Sequence, residues 1–323
     1  MLKLGSTNIN KLHLGGTEIK KAYLGTQLVF DNTLLYNDVS VMYTLRRPLM
    51  NTLWTNAIAK IRRSSDNQTA FLFIDGSIID DTISLSSFIS TSSNTTPSAT
   101  TLGTWVGAND AFVEEWIGIT PDNTINTNKT AIQTTTTQQP KLISSGVIIT
   151  KNSKPAIDFL SDSRFLKASA NIDINYGNAF AVLTVHNQIN TTIEQRVLGT
   201  TSGTDDRLLM VADRRTNKHL SVGANAIHGN KVLEYLAQQN HSDQKLLSII
   251  VDNTYFEAFY NGVSQDSSAS LNSYINDIFE IGAARSGLRS LEGTIQEIII
   301  FPSDKTSGLT ALHNDIGVYY SIL

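Results

Sequence analysis

Any chemistry in this chain has to come from carboxylates, imidazoles, hydroxyls and amines, because the sequence has no cysteine. That excludes disulfides, thiol catalysis and cysteine-ligated zinc or iron–sulfur sites. Two carboxyl groups at a controlled separation, one protonated and one ionised, are the pairing that bond hydrolysis by acid–base chemistry generally needs. The acidic residues that stand together are Asp80-Asp81, Glu114-Glu115 and Asp205-Asp206. On a regular strand neighbouring side chains point to opposite faces, so none of these pairs is expected to flank one bond. The histidines His13, His186, His219, His228, His241 and His313 show no H-x-x-x-H or H-x-x-E-H spacing, and no G-x-x-x-x-G-K phosphate loop occurs. Zinc and nucleotide chemistry therefore have no support in the sequence.

The elements that would position these groups begin with a repeat. Leu4-Gly5, Leu14-Gly15 and Leu24-Gly25 are spaced by ten residues, and Ile9, Ile19 and Val29 follow the same period, as do Lys11 and Lys21. Ten is even, so a strand-like repeat returns each side chain to the same face. Glycine reaches positive φ without a Cβ clash, which places the chain reversals at Gly5, Gly15 and Gly25. The expectation is three short strands with glycine corners. A unit this short cannot bury its own apolar face and must stack on copies or neighbours. Residues 1–30 therefore read as a docking segment.

Beyond residue 30 the chain is rich in Ser, Thr and Asn, with charged residues at only 17%, a balance that suits exposed sheet faces. Residues 31–140 read as the N-terminal part of a body, with long Thr/Asn-rich loops at Thr91–Thr104 and Thr120–Gln139. Asp81–Ser90 is expected as a short helix, Asp81 capping and Ile83, Leu85, Phe88 and Ile89 apolar. Residues 141–323 carry a strand-and-turn rhythm that includes Ala179–His186, Leu246–Val251, Phe256–Tyr260 and Thr294–Phe301, with Asn261-Gly262 as a hairpin signal. Thr306–Tyr320 reads as a terminal helix. Many short strands separated by turns predict a mainly β, antiparallel sandwich.

A net charge of -4 gives no basic field, so nucleic acid is not an expected partner. No run approaches the roughly 18 consecutive apolar residues that span a bilayer, and MLKLGSTNIN lacks the pattern of a signal peptide. The expectation is a chain that neither inserts into membranes nor leaves a cell through a signal peptide.

Three stretches resemble known families. Phe259-Tyr260-Asn261-Gly262-Val263, Glu280-Ile281-Gly282-Ala283 and Leu291-Glu292-Gly293-Thr294-Ile295-Gln296-Glu297 resemble the closing hairpins of laminin-G and concanavalin A-like lectin or glucanase jelly rolls. The repeat LGSTNINKLHLGGTEIKKAYLGTQLVF resembles the opening of virion proteins from tailed phages of Bacteroidota hosts. TLRRPLMNTLWTNAIAKIRRSSDNQTAFLFIDG and QQPKLISSGVIITKNSKPAIDF are similar to the catalytic-domain fold of α-L-arabinofuranosidase B and its phage relatives. These resemblances imply a virion structural protein, a head or tail fibre, decoration or receptor-binding protein. Its repeat, through Leu4, Gly5, Ile9, Leu14, Gly15, Ile19, Leu24 and Gly25, would dock on other capsid or tail proteins. The body would face host cell-surface glycans, and fibre symmetry implies a homotrimer.

Sugar recognition by such a body needs aromatic faces with polar groups beside them. Trp105, Trp116 and Tyr176, near Asn109, Asn123 and Asn178, and the rim arginines Arg207 and Arg285 are the candidates. No cofactor is expected apart from calcium, which laminin-G-like sandwiches sometimes hold and for which Asp205, Asp206 and Asp213 are the candidate ligands. Relatives of the arabinofuranosidase type carry W-Y-D-Q-S-G where this chain has Trp116-Ile117-Gly118-Ile119-Thr120-Pro121, so the acidic residue is missing there. With that loss and no usable acidic pair, the chain reads as a non-enzyme. A scaffold without a ligand and a virion-borne glycosidase are the alternatives.

Overall fold

The computed structural model describes residues 35–323 apart from 49, 51–53, 75–81, 161–162, 171–178, 190–194, 202–209, 215–218, 224–231, 235–242, 253–254, 270–278 and 285, and, before residue 35, residues 3–4, 7–8, 12–14, 17–19, 21–24 and 27–31. The repeat forms three two-stranded hairpins, against the expectation of three short strands with glycine corners. Lys3–Leu4 pairs with Thr7–Asn8, Leu12–Leu14 with Thr17–Ile19, and Lys21–Leu24 with Gln27–Asp31, each as its own two-stranded sheet. Leu4 pairs with Thr7, Leu14 with Thr17 and Leu24 with Gln27, which leaves the two residues Gly5-Ser6, Gly15-Gly16 and Gly25-Thr26 between the paired ends. One decapeptide copy thus supplies both arms of a ribbon. Of the docking residues, Leu4, Leu14, Ile19 and Leu24 stand in these strands, while Gly5, Ile9, Gly15 and Gly25 lie outside the described residues.

The body is a two-layer antiparallel β-sandwich with a C-terminal helix. Its organising element is the central strand Gly293–Phe301, whose nine residues are all buried. Phe180–Gln188 pairs along one edge, and Val41–Thr44 and Ile157–Asp158 share the other, so both edges are closed. Lys245–Val251, Tyr255–Tyr260 and Val263–Ala269 extend this layer beyond Phe180–Gln188. Side-chain alternation explains why the apolar run Ile298-Ile299-Ile300 needs no polar face. Ile298 lies opposite Tyr43, whose ring meets Trp116 and Phe279 of the other layer at 5.7 and 6.0 Å. Glu297 faces the opposite way with Thr44, under the helix Leu309–Tyr319.

The second layer contains Thr69–Leu72, Ala59–Arg63, Ala111–Trp116, Leu166–Ala168, Phe279–Ile281 and Gln195–Thr200. Lys141–Ser144 joins it to the first, pairing with Ala111–Trp116 on one side and Ile157–Asp158 on the other. Pairing therefore runs across residue 140, and residues 31–140 and 141–323 share sheets.

The helix expected at Asp81–Ser90 is absent from its described part. Ile83 N–H donates to Leu45 O, Ile89 N–H to Thr100 O, and Ile89–Ser90 is a strand. Ser84, Ser87 and Ser90 side chains bond nearby backbone amides, which competes with helical bonding. A helix forms instead at Leu102–Val106, capped by Thr101, whose hydroxyl accepts from Thr104 N–H.

Candidate functional site

Residues directly opposite one another in an antiparallel sheet share a face. Arg62 lies opposite Phe112, Phe112 opposite Lys141, and Lys141 opposite Asp158, so four strands contribute one side chain each to a transverse row. Ala59 and Ile61, which alternate with Lys60 and Arg62, are fully buried, so the row stands on the outward side of the sheet. Phe112 is its centre. The Arg62 and Arg164 guanidinium carbons and Lys141 Nζ lie 4.9, 5.7 and 5.4 Å from its ring centroid.

The cations around Phe112 differ in how they are satisfied. Arg62 donates to Gln139 Oε1 at 2.7 Å, Asn67 Oδ1 at 2.7 Å and Thr136 O at 3.3 Å. Lys141 Nζ donates to Asp110 Oδ2 at 2.8 Å, and the other Asp110 oxygen accepts from Ser145 N–H at 2.7 Å. Arg164 has neither a hydrogen bond nor an ion pair among the described residues, and its Nε is buried without a partner.

Two carboxyl groups of this face are driven apart in acidity. Lys141 and the Ser145 amide hold Asp110 below the usual carboxylate range, with the Lys141 and Arg164 charges acting the same way. Burial raises Asp158 above that range, although Leu160 N–H, Arg164 and Lys141 pull against it. The two carboxyls thus shift in opposite directions, Asp110 through its bonds to Lys141 and the Ser145 amide and Asp158 through burial.

A second acidic group lies further along Ala111–Trp116. The register there shifts between Val113 and Glu115, a β-bulge, and such bulges re-aim side chains. As a result Glu114 and Glu115 both reach Lys60 Nζ, at 2.6 and 3.4 Å. The premise that adjacent acidic residues must diverge fails at this pair.

Trp116 and Trp105 require correction as sugar-stacking residues. Trp116 is 0% exposed and donates its indole N–H to Thr44 O, while Trp105 is 7% exposed, with the Arg63 guanidinium 5.0 Å from its ring. Their apolar surface is spent on the core. Tyr176, Arg207, Arg285, Asp205 and Asp206 lie outside the described residues, and Asp213 stands in the strand Met210–Arg214, opposite Gln195 and Leu220. Among the described residues no group of three or more His, Asp or Glu side chains converges as metal ligands. The sequence reading missed Asp110, Phe112, Lys141, Asp158 and Arg164 as a group. The local signal was a charged residue at the end of each of two short strands, Lys141 opening Lys141–Ser144 and Asp158 closing Ile157–Asp158.

No protein-family model matches the sequence, and no curated protein matches it. Solved structures do. An arabinofuranosidase complexed with arabinofuranosyl-α-1,2-xylobiose superposes with a TM-score of 0.56 at 11% identity. A Glu-to-Gln mutant of a GH54 α-L-arabinofuranosidase, soaked with 4-nitrophenyl α-L-arabinofuranoside, gives 0.51 at 12%. Each match covers 87% of this chain and 63% of the other, so the chain spans less than two thirds of those proteins. At such identity the likeness establishes the fold. The expectation of a non-enzyme is corrected by this finding: the solved structures just named, which share the fold over 87% of the chain, are arabinofuranosidases.

Proposed function

We propose that this chain is a carbohydrate-active β-sandwich that engages a glycan across the outer row Arg62–Phe112–Lys141–Asp158 and acts on it as a glycoside hydrolase. The observation that carries the reading is the outward row that sets Asp158 beside Lys141 and, through the Lys141 ion pair, Asp110, two carboxyls whose acidities shift in opposite directions. Asp158 would protonate the departing glycosidic oxygen, and Asp110 would act as the ionised partner. Lys141 positions Asp110 and keeps it charged. The arabinofuranosidase architecture supports the reading from an independent direction.

The test is release of 4-nitrophenol from a panel of 4-nitrophenyl glycosides, α-L-arabinofuranoside included, together with release of reducing sugar from polysaccharides. Asp158→Asn is expected to lower kcat by about 10²–10⁴-fold, the usual contribution of a positioned acid, with the fold intact. The rate should fall at high pH as Asp158 loses its proton and at low pH as Asp110 gains one. A purified protein that neither binds nor cleaves any glycan overturns the proposal.

The N-terminal hairpins favour a second, compatible reading. A lone two-stranded ribbon is marginal in water, and all three repeat copies pair only within themselves among the described residues. Residues 1–31 would then be stabilised by other chains. This supports a multicopy virion protein, docked through Leu4, Leu14, Ile19 and Leu24 on capsid or tail neighbours, assembled as a homotrimer in the host cytoplasm and displaying the body to host glycans.

A further inference from the structure

We infer that Arg164 is the anchor for a ligand carboxylate, so that the glycan taken by this face is anionic and carries a uronic acid or a comparable acidic sugar. The inference rests on the assignment of the Phe112 face as the glycan site and adds the substrate class.

Three observations carry it. The first is charge placement: Arg62, Lys141 and Arg164 gather around one phenyl ring, against the carboxyl groups of Asp110 and Asp158. The second is saturation. Lys141 is paired with Asp110, and Arg62 has three oxygen acceptors from Gln139, Asn67 and Thr136. Arg164 alone of the three has no hydrogen-bond acceptor among the described residues, even though the charges of Asp110 and Asp158 act with its own. A half-buried guanidinium, with five donors in a fork that matches a carboxylate, is costly to leave unmatched.

The third is chemical. Glycoside cleavage passes through an oxocarbenium-like transition state, and positive charge developing beside Arg62 and Arg164, neither of which has a carboxylate partner among the described residues, is disfavoured. A substrate that brings its own carboxylate to Arg164 reduces that conflict.

The test uses the full-length protein with glucuronate and its neutral isostere glucuronamide, titrated separately and followed by NMR chemical-shift changes. Glucuronate is expected to bind at least tenfold more tightly than glucuronamide. Arg164→Gln should erase that preference and leave the amide's binding unchanged, while Arg164→Lys, which keeps the charge without the fork, should restore it in part. Matching thermal melts show that the variants fold. Equal binding of the two probes, or a glucuronate preference that survives Arg164→Gln, overturns the inference, as does failure of both to bind. The measurement needs no turnover: a protein that binds glucuronate through Arg164 and hydrolyses nothing refutes the hydrolase reading and leaves the anchor standing.

Discussion

Arg46 is fully buried and has nowhere to put its charge except on its neighbours. It donates to Glu297 Oε1 at 3.0 Å, to Asp315 Oδ2 at 2.8 Å and to the Tyr36 hydroxyl at 2.9 Å, and the Tyr319 ring covers it at 4.7 Å. Burial raises Glu297 and Arg46 pulls it back, so the carboxylate depends on that one cation. Replacing Glu297 with Ala removes one of the two carboxylates that pair with Arg46, so the expected cost lies below the about 3–5 kcal/mol of a fully orphaned buried charge, and urea denaturation measures it. His313 gives a pH signature. It packs on Phe259 and bonds Ser248 Oγ at 2.9 Å, and burial lowers it to about 4. Between its ordinary value and about 4 the unfolded chain binds a proton that the folded one refuses, so stability falls as pH drops through that window. Melting curves from pH 7 to 4 should show the decline, and His313→Gln should flatten it. Neither role was legible beforehand, because residue type does not reveal burial. Trp105 and Trp116 teach the same lesson in reverse, being suited to a ligand by type and committed to the core by position.

Among the elements, the strands were largely visible in advance. Leu246–Val251 and Thr294–Phe301 each lie within one residue of the observed Lys245–Val251 and Gly293–Phe301, because runs of β-branched residues closed by turn signals admit little else. What a single sequence does not carry is register between distant strands. Asp158 and Phe112 share a row only because Lys141 pairs with each, and the Glu114 bulge is invisible to strict alternation. The register also makes close demands at Gly293. A Cβ there would sit 2.1 Å from Asn187 O, in a strand buried along its whole length. Gly293→Ala should therefore destabilise by about 1–3 kcal/mol, the overpacking range, as read by thermal unfolding.

For the molecule as a whole, the sandwich and the repeat make separable predictions. The body closes its own core, from Tyr36 to Tyr320, among the described residues. A chain lacking residues 1–31 should keep the melting temperature of the body and lose self-association, measured by analytical ultracentrifugation beside the full chain. Identical association of the two removes the assembly role of the hairpins. Architecture was legible at this scale because composition, turn spacing and the terminal helix all pointed to one fold class. The chemistry was not, because it belongs to a surface that exists only once four strands have met.

The central strand has a consequence for how the protein is made. Thr44 Oγ1 finds its acceptor, Glu297, 253 positions later. With translation at about 5–20 residues per second, the first strand of the sandwich waits on the order of ten to fifty seconds before its mate leaves the ribosome. Val41–Thr44 spends that interval as an open edge that a chaperone, or a second nascent copy, is free to occupy.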